Sequence, residues 1–571
     1  MIRRAAGGSC LALLALAGCS LPLPQGVQST RGVPAQQRPQ DDITVIPPGP
    51  RPGQPPDAVV QGFLNAEASP VDSHAVARRF LAGRAGWDDR GDLLVYDPAS
   101  LEVVLQREDA QSADVTTTVT VSATIRRDGS SAALAPRVVT DSYRLTRSGR
   151  DWRLASVPAG LRLTPADRDR SFSAVRTWFL APPVEGEGRH VVPDAVFLPD
   201  RPDVRGSVDA LVRRLVAGPS RSLAGSVLTA VPPGAVVQRV DVDATGVVQV
   251  RLTGGREVLT PARLEELSAQ LVWTLRGIPS FTALRLSVGG QVVAPAGGPA
   301  DQVAGSFDAY DPDGLGPVPL LFYVERRRLR ALDTDLPPGP ATTGDPGRRG
   351  AFAVDEVAVS NGQTRLALVS GTTLRIGPLR STSYPLVLAR PGLHAPSWGA
   401  GGLGLWLLQG SSRLLRVGGL DDVHEVPVDG APGRLTALAV SRDGVRVALV
   451  SDGRLLVGRV DRSGGTVRVV GLVEVAPSLS AVTDVAWVGA ASLAAVGTLQ
   501  GTVLPVRLAV DGSSVVPLDG PGLPGPPVGI AASPAGIVVE ARTPAGSRLF
   551  RATGNGFAVL AGRGTAPAYP G

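Results

Sequence analysis

Val440-Ser441-Arg442-Asp443-Gly444, followed by Arg446-Val447-Ala448-Leu449-Val450 and then Leu455-Leu456-Val457, sets the pattern for the C-terminal half of the chain. Short runs of small and aliphatic residues separated by turn formers read as strands joined by tight hairpins. Related segments recur at Val359-Ser360-Asn361-Gly362, Ser397-Trp398-Gly399, Ala486-Trp487-Val488 and Ala532-Ser533-Pro534. From Ser360 through Trp398, Ser441 and Trp487 to Ser533, the spacings are 38, 43, 46 and 46 residues. A period of about 40–50 residues with about four short strands per unit is the signature of a β-propeller. Five marked units and a strand pair around Leu320 to Leu332 suggest six blades within residues 301–571, with five or seven open. A two-sheet sandwich would leave the recurrent Ser-x-Asp-Gly and Trp positions unexplained. Asp443-Gly444 and Asp452-Gly453 read as hairpin turns.

Upstream, residues 164–300 mix helix and strand. Val175 to Leu180 and His190 to Leu198 read as strands leading into a helix, Val204 to Ala217, with Val208, Leu211, Val212 and Leu215 on one stripe. Gly218-Pro219 ends that helix, glycine as cap and proline as breaker. After Val231-Pro232-Pro233-Gly234 come strands Val236 to Val242 and Val247 to Leu252. A second helix opens at Pro261 behind Thr260 and carries Leu264, Leu267, Leu271, Val272 and Leu275. Strand Ala283 to Val288 closes the unit. This order, with Leu211, Leu215, Gly218-Pro219, Val231 to Gly234, Val240 to Leu252 and Ile278-Pro279, is similar to the GerMN domain of spore-germination and cell-envelope lipoproteins.

In residues 57–163, Val59, Val60, Phe63 and Leu64 and then Ala75, Val76, Phe80 and Leu81 repeat at helical spacing. Strands follow at Leu101 to Gln106, Asp114 to Arg126, Ser142 to Thr146 and Trp152 to Val157, with turns at Asp128-Gly129 and Ser148-Gly149. Two helices before an antiparallel sheet resemble the cone-shaped α+β fold of the nuclear-transport-factor and cystatin-like groups. Without a His–Asp pair near a pocket mouth, this domain is expected to bind or dock. The fold class is thus multi-domain, two α+β domains and an all-β propeller.

The N-terminus explains how such a body is held. Arg3 and Arg4 precede an apolar run from Cys10 to Ala17, which makes residues 1–18 a secretory signal peptide, too short to span a bilayer. Leu16-Ala17-Gly18-Cys19 has the lipobox pattern. Cleavage falls between Gly18 and Cys19, and Cys19 takes a diacylglycerol on its thiol and an acyl group on its new amino terminus. Residues 19–56, with Pro22, Pro24, Gly26 and Pro47-Pro48-Gly49-Pro50, form an extended tether.

Composition narrows the chemistry. Hydrophobic residues make up 43% and charged residues 19%, enough apolar material for several cores. Arginine and lysine total 57 against 51 acids, and removal of Arg3 and Arg4 leaves +4. No lysine occurs, and no basic cluster interleaves with aromatics, so nucleic acid is not the expected partner. Arg326-Arg327-Arg328 reads as a solvated strand or turn. Cys10 and Cys19 are the two cysteines, so the mature body has neither disulfide nor cysteine metal site. His74, His190, His394 and His424 never take the spacing of a metal helix. Gly399-Ala400-Gly401-Gly402-Leu403-Gly404 fits G-x-G-x-x-G, but Leu405 to Leu408 after it reads as a strand, so it is a turn. No G-x-S-x-G elbow occurs. No cofactor and no catalytic residue is assigned, although paired carboxylates meeting in the propeller channel would be invisible at this level.

Lipobox, proline tether, α+β domain, GerMN-like domain and propeller, in this order, resemble the LpqB lipoprotein family of high-GC Gram-positive bacteria. The resemblance implies a non-enzymatic, lipid-anchored protein on the extracytoplasmic face of the cell membrane. It further implies an accessory role to the MtrA–MtrB two-component system, through contact with the outer part of the sensor kinase MtrB, affecting cell envelope and division. The alternatives are a glycan-binding or glycan-processing propeller of the cell wall and an envelope-assembly scaffold. Exposed stacking rings suit sugar sites, and aromatics are only 4% of this chain. Cys19→Ser is expected to abolish fatty-acid labelling and to leave an uncleaved precursor or a released protein. Labelling that persists in the variant would exclude Cys19 as the anchor.

Overall fold

The computed structural model describes residues 47–571 other than 84, 184–188, 202, 315–319, 333–338, 341–351, 380, 382, 401–403, 420–421 and 431–432. Cys19, its cleavage site and most of the tether lie outside the described residues. In the first domain the helix Pro56–Glu67 starts on a proline at its first turn and buries Val59, Val60, Phe63 and Leu64. Phe63 meets Trp87 and Tyr143 edge-on, with ring centroids 5.1 and 6.4 Å apart. The expected second helix is one turn long, Ala75–Arg78. It stops because the backbone beyond it is taken by the sheet. Phe80 O accepts from Leu154 N at 2.9 Å, and Ala82 N donates back to Leu154 O at 2.8 Å.

That sheet places Asp151–Ser156, Ser131–Ser148, Ser112–Ile125, Leu93–Tyr96 and Leu161–Leu163 side by side, with Glu102–Glu108 also on Ser112–Ile125. The expected strand Ser142 to Thr146 is the end of an 18-residue strand. Its first part was masked by Pro136, which lies where the register against Ser112–Ile125 shifts, between Val121 and Ala123. A proline, lacking an N–H, is tolerated at such a bulge. Leu93–Tyr96 and Leu161–Leu163, which pair in parallel, are too short to show a period of their own.

The second domain follows its expected order closely. A hairpin, Phe172–Leu180 with Val191–Pro199, precedes the helix Val204–Val216. Asp203 caps that helix by accepting from Gly206 N at 2.6 Å, and Gly218 ends it at φ +92. Strands Val236–Val242 and Val247–Thr253 form a hairpin. Helix Pro261–Leu275 then carries the chain over to Ala283–Val288, which pairs in parallel with Val247–Thr253. Leu267, Leu271, Val272 and Leu275 are buried beneath it with Val208, Val212 and Leu215.

From residue 321 the described residues form six four-stranded antiparallel sheets. The inner strands of blades two to six are Glu356–Val359, Leu393–Trp398, Leu435–Val440, Leu479–Gly489 and Pro527–Ser533. Blade one is composite. Its inner strand is Thr565–Ala568, at the far end of the chain, paired with Leu321–Glu325. The six-blade reading holds, and the ring is closed by sequence-distant halves. The repeat-marked positions are joints between blades or locks of a blade's own turn. Trp398 Nε1 donates to Ala358 O at 3.1 Å, Trp487 Nε1 to Ala439 O at 3.0 Å, and Val440 N to Ser397 Oγ at 2.9 Å. Ser360 and Ser441 close their own hairpin turns, accepting from Arg365 N and Arg446 N.

Blades bury their faces only against neighbours, so closure should stabilise every blade. Trp487→Phe, which deletes one cross-blade hydrogen bond and part of a buried ring system, is expected to cost about 1–3 kcal/mol. Truncation before Thr565 should lower and broaden the melting of the whole propeller far more in scanning calorimetry. A truncated chain that melts unchanged would mean that the blades are independent.

Candidate functional site

The six inner strands surround a cavity of about 430 Å³ along the propeller axis. At one end it is lined by Glu356, Thr436, Thr483, Asp484, Glu540 and Thr565, and the three threonines there are exposed. At the other end its lining includes Val440, Arg442, Trp487, Ala532 and Tyr569, all buried. The channel is therefore open on one face and floored on the other.

The three carboxylates of the open end come from three blades, and each holds the next blade. Glu356 accepts from Ala395 N at 2.6 Å, Asp484 from Ile530 N at 2.8 Å and Glu540 from Ala566 N at 2.9 Å. Ala395 and Ala566 have φ of +49 and +48, so two of these bonds secure backbone in the left-handed region. Burial pushes the Asp484 carboxyl up to about 7, with Glu356 and Glu540 adding to the rise, and burial also raises Glu356. Paired carboxylates do meet in the channel, and their bonds to the neighbouring blades give them a structural task.

The floor is built by the turn Ser441–Arg446 of blade four. Asp443 accepts from the Ser441 hydroxyl and from Val445 N, and Gly444 has φ +68, so the expected hairpin turn is present. Its two arginines are not surface groups. Arg442 is 6% exposed and Arg446 5% exposed. Arg442 donates to Pro570 O and Ala532 O, each at 3.3 Å, and its Nη1 lies 4.0 Å from Asp313. Arg446 donates to Ala490 O at 3.1 Å and to Pro193 O in the second domain. Val445 between them belongs to the core of that domain. Asp313 accepts from Ala490 N at 2.9 Å, and burial pushes its carboxyl up to about 6. One turn thus closes the channel and docks the propeller onto the α+β body. The first two domains are joined likewise, Phe197 N donating to Gly129 O at 2.8 Å and Arg221 N to Asp128 at 2.7 Å.

The remaining sequence candidates disperse. Arg326 and Arg327, at φ +51 and +61, form the turn between Leu321–Glu325 and Arg328–Leu332, and Arg327 meets Asp355 at 3.0 Å. His74 lies edge-on to Trp87, His394 bonds Gly410 O at 2.8 Å and His424 meets Asp422 at 2.6 Å. His190 ends the hairpin loop, its carbonyl accepting from Ala181 N. Among the described residues no group of three His, Cys, Asp or Glu could hold a metal. Gly399 N donates to Gly404 O at 2.8 Å in a turn between two paired strands, with residues 401–403 outside the described set. The sequence reading missed Arg442, Arg446 and Asp313. The one available signal was two arginines on a turn otherwise built of buried small residues.

Fold and site define a six-bladed propeller protein whose floor turn docks onto the second of two α+β domains. Comparison with known proteins places it further. The description "Lipoprotein LpqB, N-terminal domain" matches residues 49–169, "Sporulation and spore germination" residues 178–294, and "Lipoprotein LpqB beta-propeller domain" residues 339–570. Lipoprotein LpqB of Streptomyces coelicolor is 32% identical over 87% of each chain, and that of Thermobifida fusca 28% identical over 90% of each. The chain belongs to the LpqB lipoprotein family. No helix among the described residues is long and apolar enough to cross a membrane.

Asp484 also sets a pH dependence. Its folded-state pKa of about 7 lies well above the ordinary aspartate range, so its contribution is intact below about pH 4 and is lost as pH rises through 7. At about 1.4 kcal/mol per unit, that loss is at most about 4 kcal/mol. In Asp484→Asn the slope of melting temperature against pH between 4 and 8 is expected to flatten. An unchanged slope would assign the dependence to other groups.

Proposed function

We propose that the protein is a lipid-anchored, extracytoplasmic, non-enzymatic accessory of a membrane sensor histidine kinase of the MtrB type, modulating signals to cell envelope and division. Membership in the LpqB family carries this reading. The lipobox at Cys19 and the proline tether support it, because together they hold a large folded body beside the membrane. In the channel, the carboxylates that a glycan-cleaving enzyme would use are engaged with neighbouring blades, which favours presentation of surface over chemistry.

Anchoring relaxes the demand on the contact. Confinement to the membrane raises the effective concentration of a partner by orders of magnitude. A micromolar intrinsic constant, about −8 kcal/mol, then suffices. The soluble body, residues 20–571, is expected to bind the kinase's outer domain weakly in titration, and Cys19→Ser to reduce kinase output in cells. No binding at millimolar concentrations with unchanged output in the unanchored strain would overturn the reading.

A further inference from the structure

The propeller channel is larger and more polarised than a structural void needs to be. Its volume of about 430 Å³ falls within the range of small-molecule pockets, about 300–1,000 Å³. At the open end Glu356, Asp484 and Glu540 face one space, and the lining there contains no arginine. Glu356 and Glu540 each spend one oxygen, Oε2, on the next blade. At the floor Arg442 is the one arginine of the lining, buried, with its Nη1 lacking a hydrogen-bond partner among the described residues and lying 4.0 Å from Asp313. The channel thus runs from a mouth of three carboxylates to a floor that holds one buried guanidinium.

Length adds a second constraint. From mouth to floor the inner strands advance about four residues, as from Thr436 to Val440 or from Thr483 to Trp487. At about 3.3 Å per residue this is about 13 Å. An extended peptide of three or four residues has the same span. Opposite charges interact more strongly in such a partly desolvated site than in water.

We propose that the channel binds a short, extended zwitterion with the chemistry of a peptide of three or four small residues, its ammonium among Glu356, Asp484 and Glu540 and its carboxylate directed towards Arg442. Such a ligand places each charge against its complement and runs parallel to the inner strands. The alanines, valines and threonines of the walls suit small side chains. This site stands on the channel geometry, so its failure leaves the kinase reading intact, and a failed kinase titration leaves the site intact.

The test is calorimetric titration of the mature chain with tetra-alanine, its N-acetylated form and its C-terminal amide. Tetra-alanine is expected to bind. Acetylation, which removes the ammonium, should weaken binding about tenfold or more, the scale of one hydrogen bond to a charged group. The amide should weaken it too. Glu356→Gln and Glu540→Gln keep an oxygen for Ala395 N and Ala566 N while removing charge. Each is expected to retain the melting temperature and lose about tenfold in affinity for tetra-alanine, with little effect on the acetylated form. No binding of tetra-alanine at millimolar concentration, equal binding of the acetylated peptide, or full affinity in folded Gln variants would each overturn the proposal.

Discussion

Thr565–Ala568 paired with Leu321–Glu325 is the contact on which the C-terminal half depends. A four-stranded blade has two faces and too few residues to bury them alone. Each face is covered by the neighbouring blade, so an open row would leave apolar surface at both ends. Pairing the end of the propeller segment with its beginning removes those ends and makes the blades one cooperative body. The cross-blade bonds of Trp398, Trp487 and Ser397 act in the same direction, since each links a repeat-marked side chain to an adjacent blade. The recurrence in the sequence is therefore a recurrence of blade joints and of the turns within blades.

The turn Ser441–Arg446 uses a costlier device. Burying two guanidinium groups carries a desolvation penalty of several kcal/mol each unless hydrogen bonds compensate it. Here backbone carbonyls supply that compensation. Pro570 O and Ala532 O receive Arg442, while Ala490 O and Pro193 O receive Arg446. These carbonyls belong to blade five, blade six, the closing segment and the second domain, so these hydrogen bonds form only when the ring is closed and the domains are docked. The same packing floors the channel. With no cysteine after Cys19, such distributed contacts carry the assembly.

Channel and dock are two faces of one element. The open mouth carries carboxylates held on backbone of neighbouring blades, and the floor carries Arg442 beside Asp313. A membrane-tethered body built this way offers surface on its α+β domains and a solvent-facing concavity on its propeller. Its acids brace the blades and give the opening its charge.

Local pattern alone determined much of this protein. Short aliphatic runs between Gly and Asp turns, repeating every 38 to 46 residues, specify strands and their grouping into blades. Proline at the start and glycine after the end bounded the helices of the second domain within a residue or two. These signals are legible because capping, turn chemistry and periodicity act between residues a few positions apart. What lay beyond local reach was decided by the tertiary structure. The helix expected through Leu81 ends at Arg78 because Leu154 captures the following backbone, and the strand through Pro136 exists because its bulge meets a partner. Glu356, Asp484 and Glu540 are separated by 128 and 56 residues, and they share an opening only because the ring has closed. Arg442 on its turn is, in sequence, an ordinary surface arginine. Burial depends on what packs over a residue, and here that cover comes from other blades and another domain.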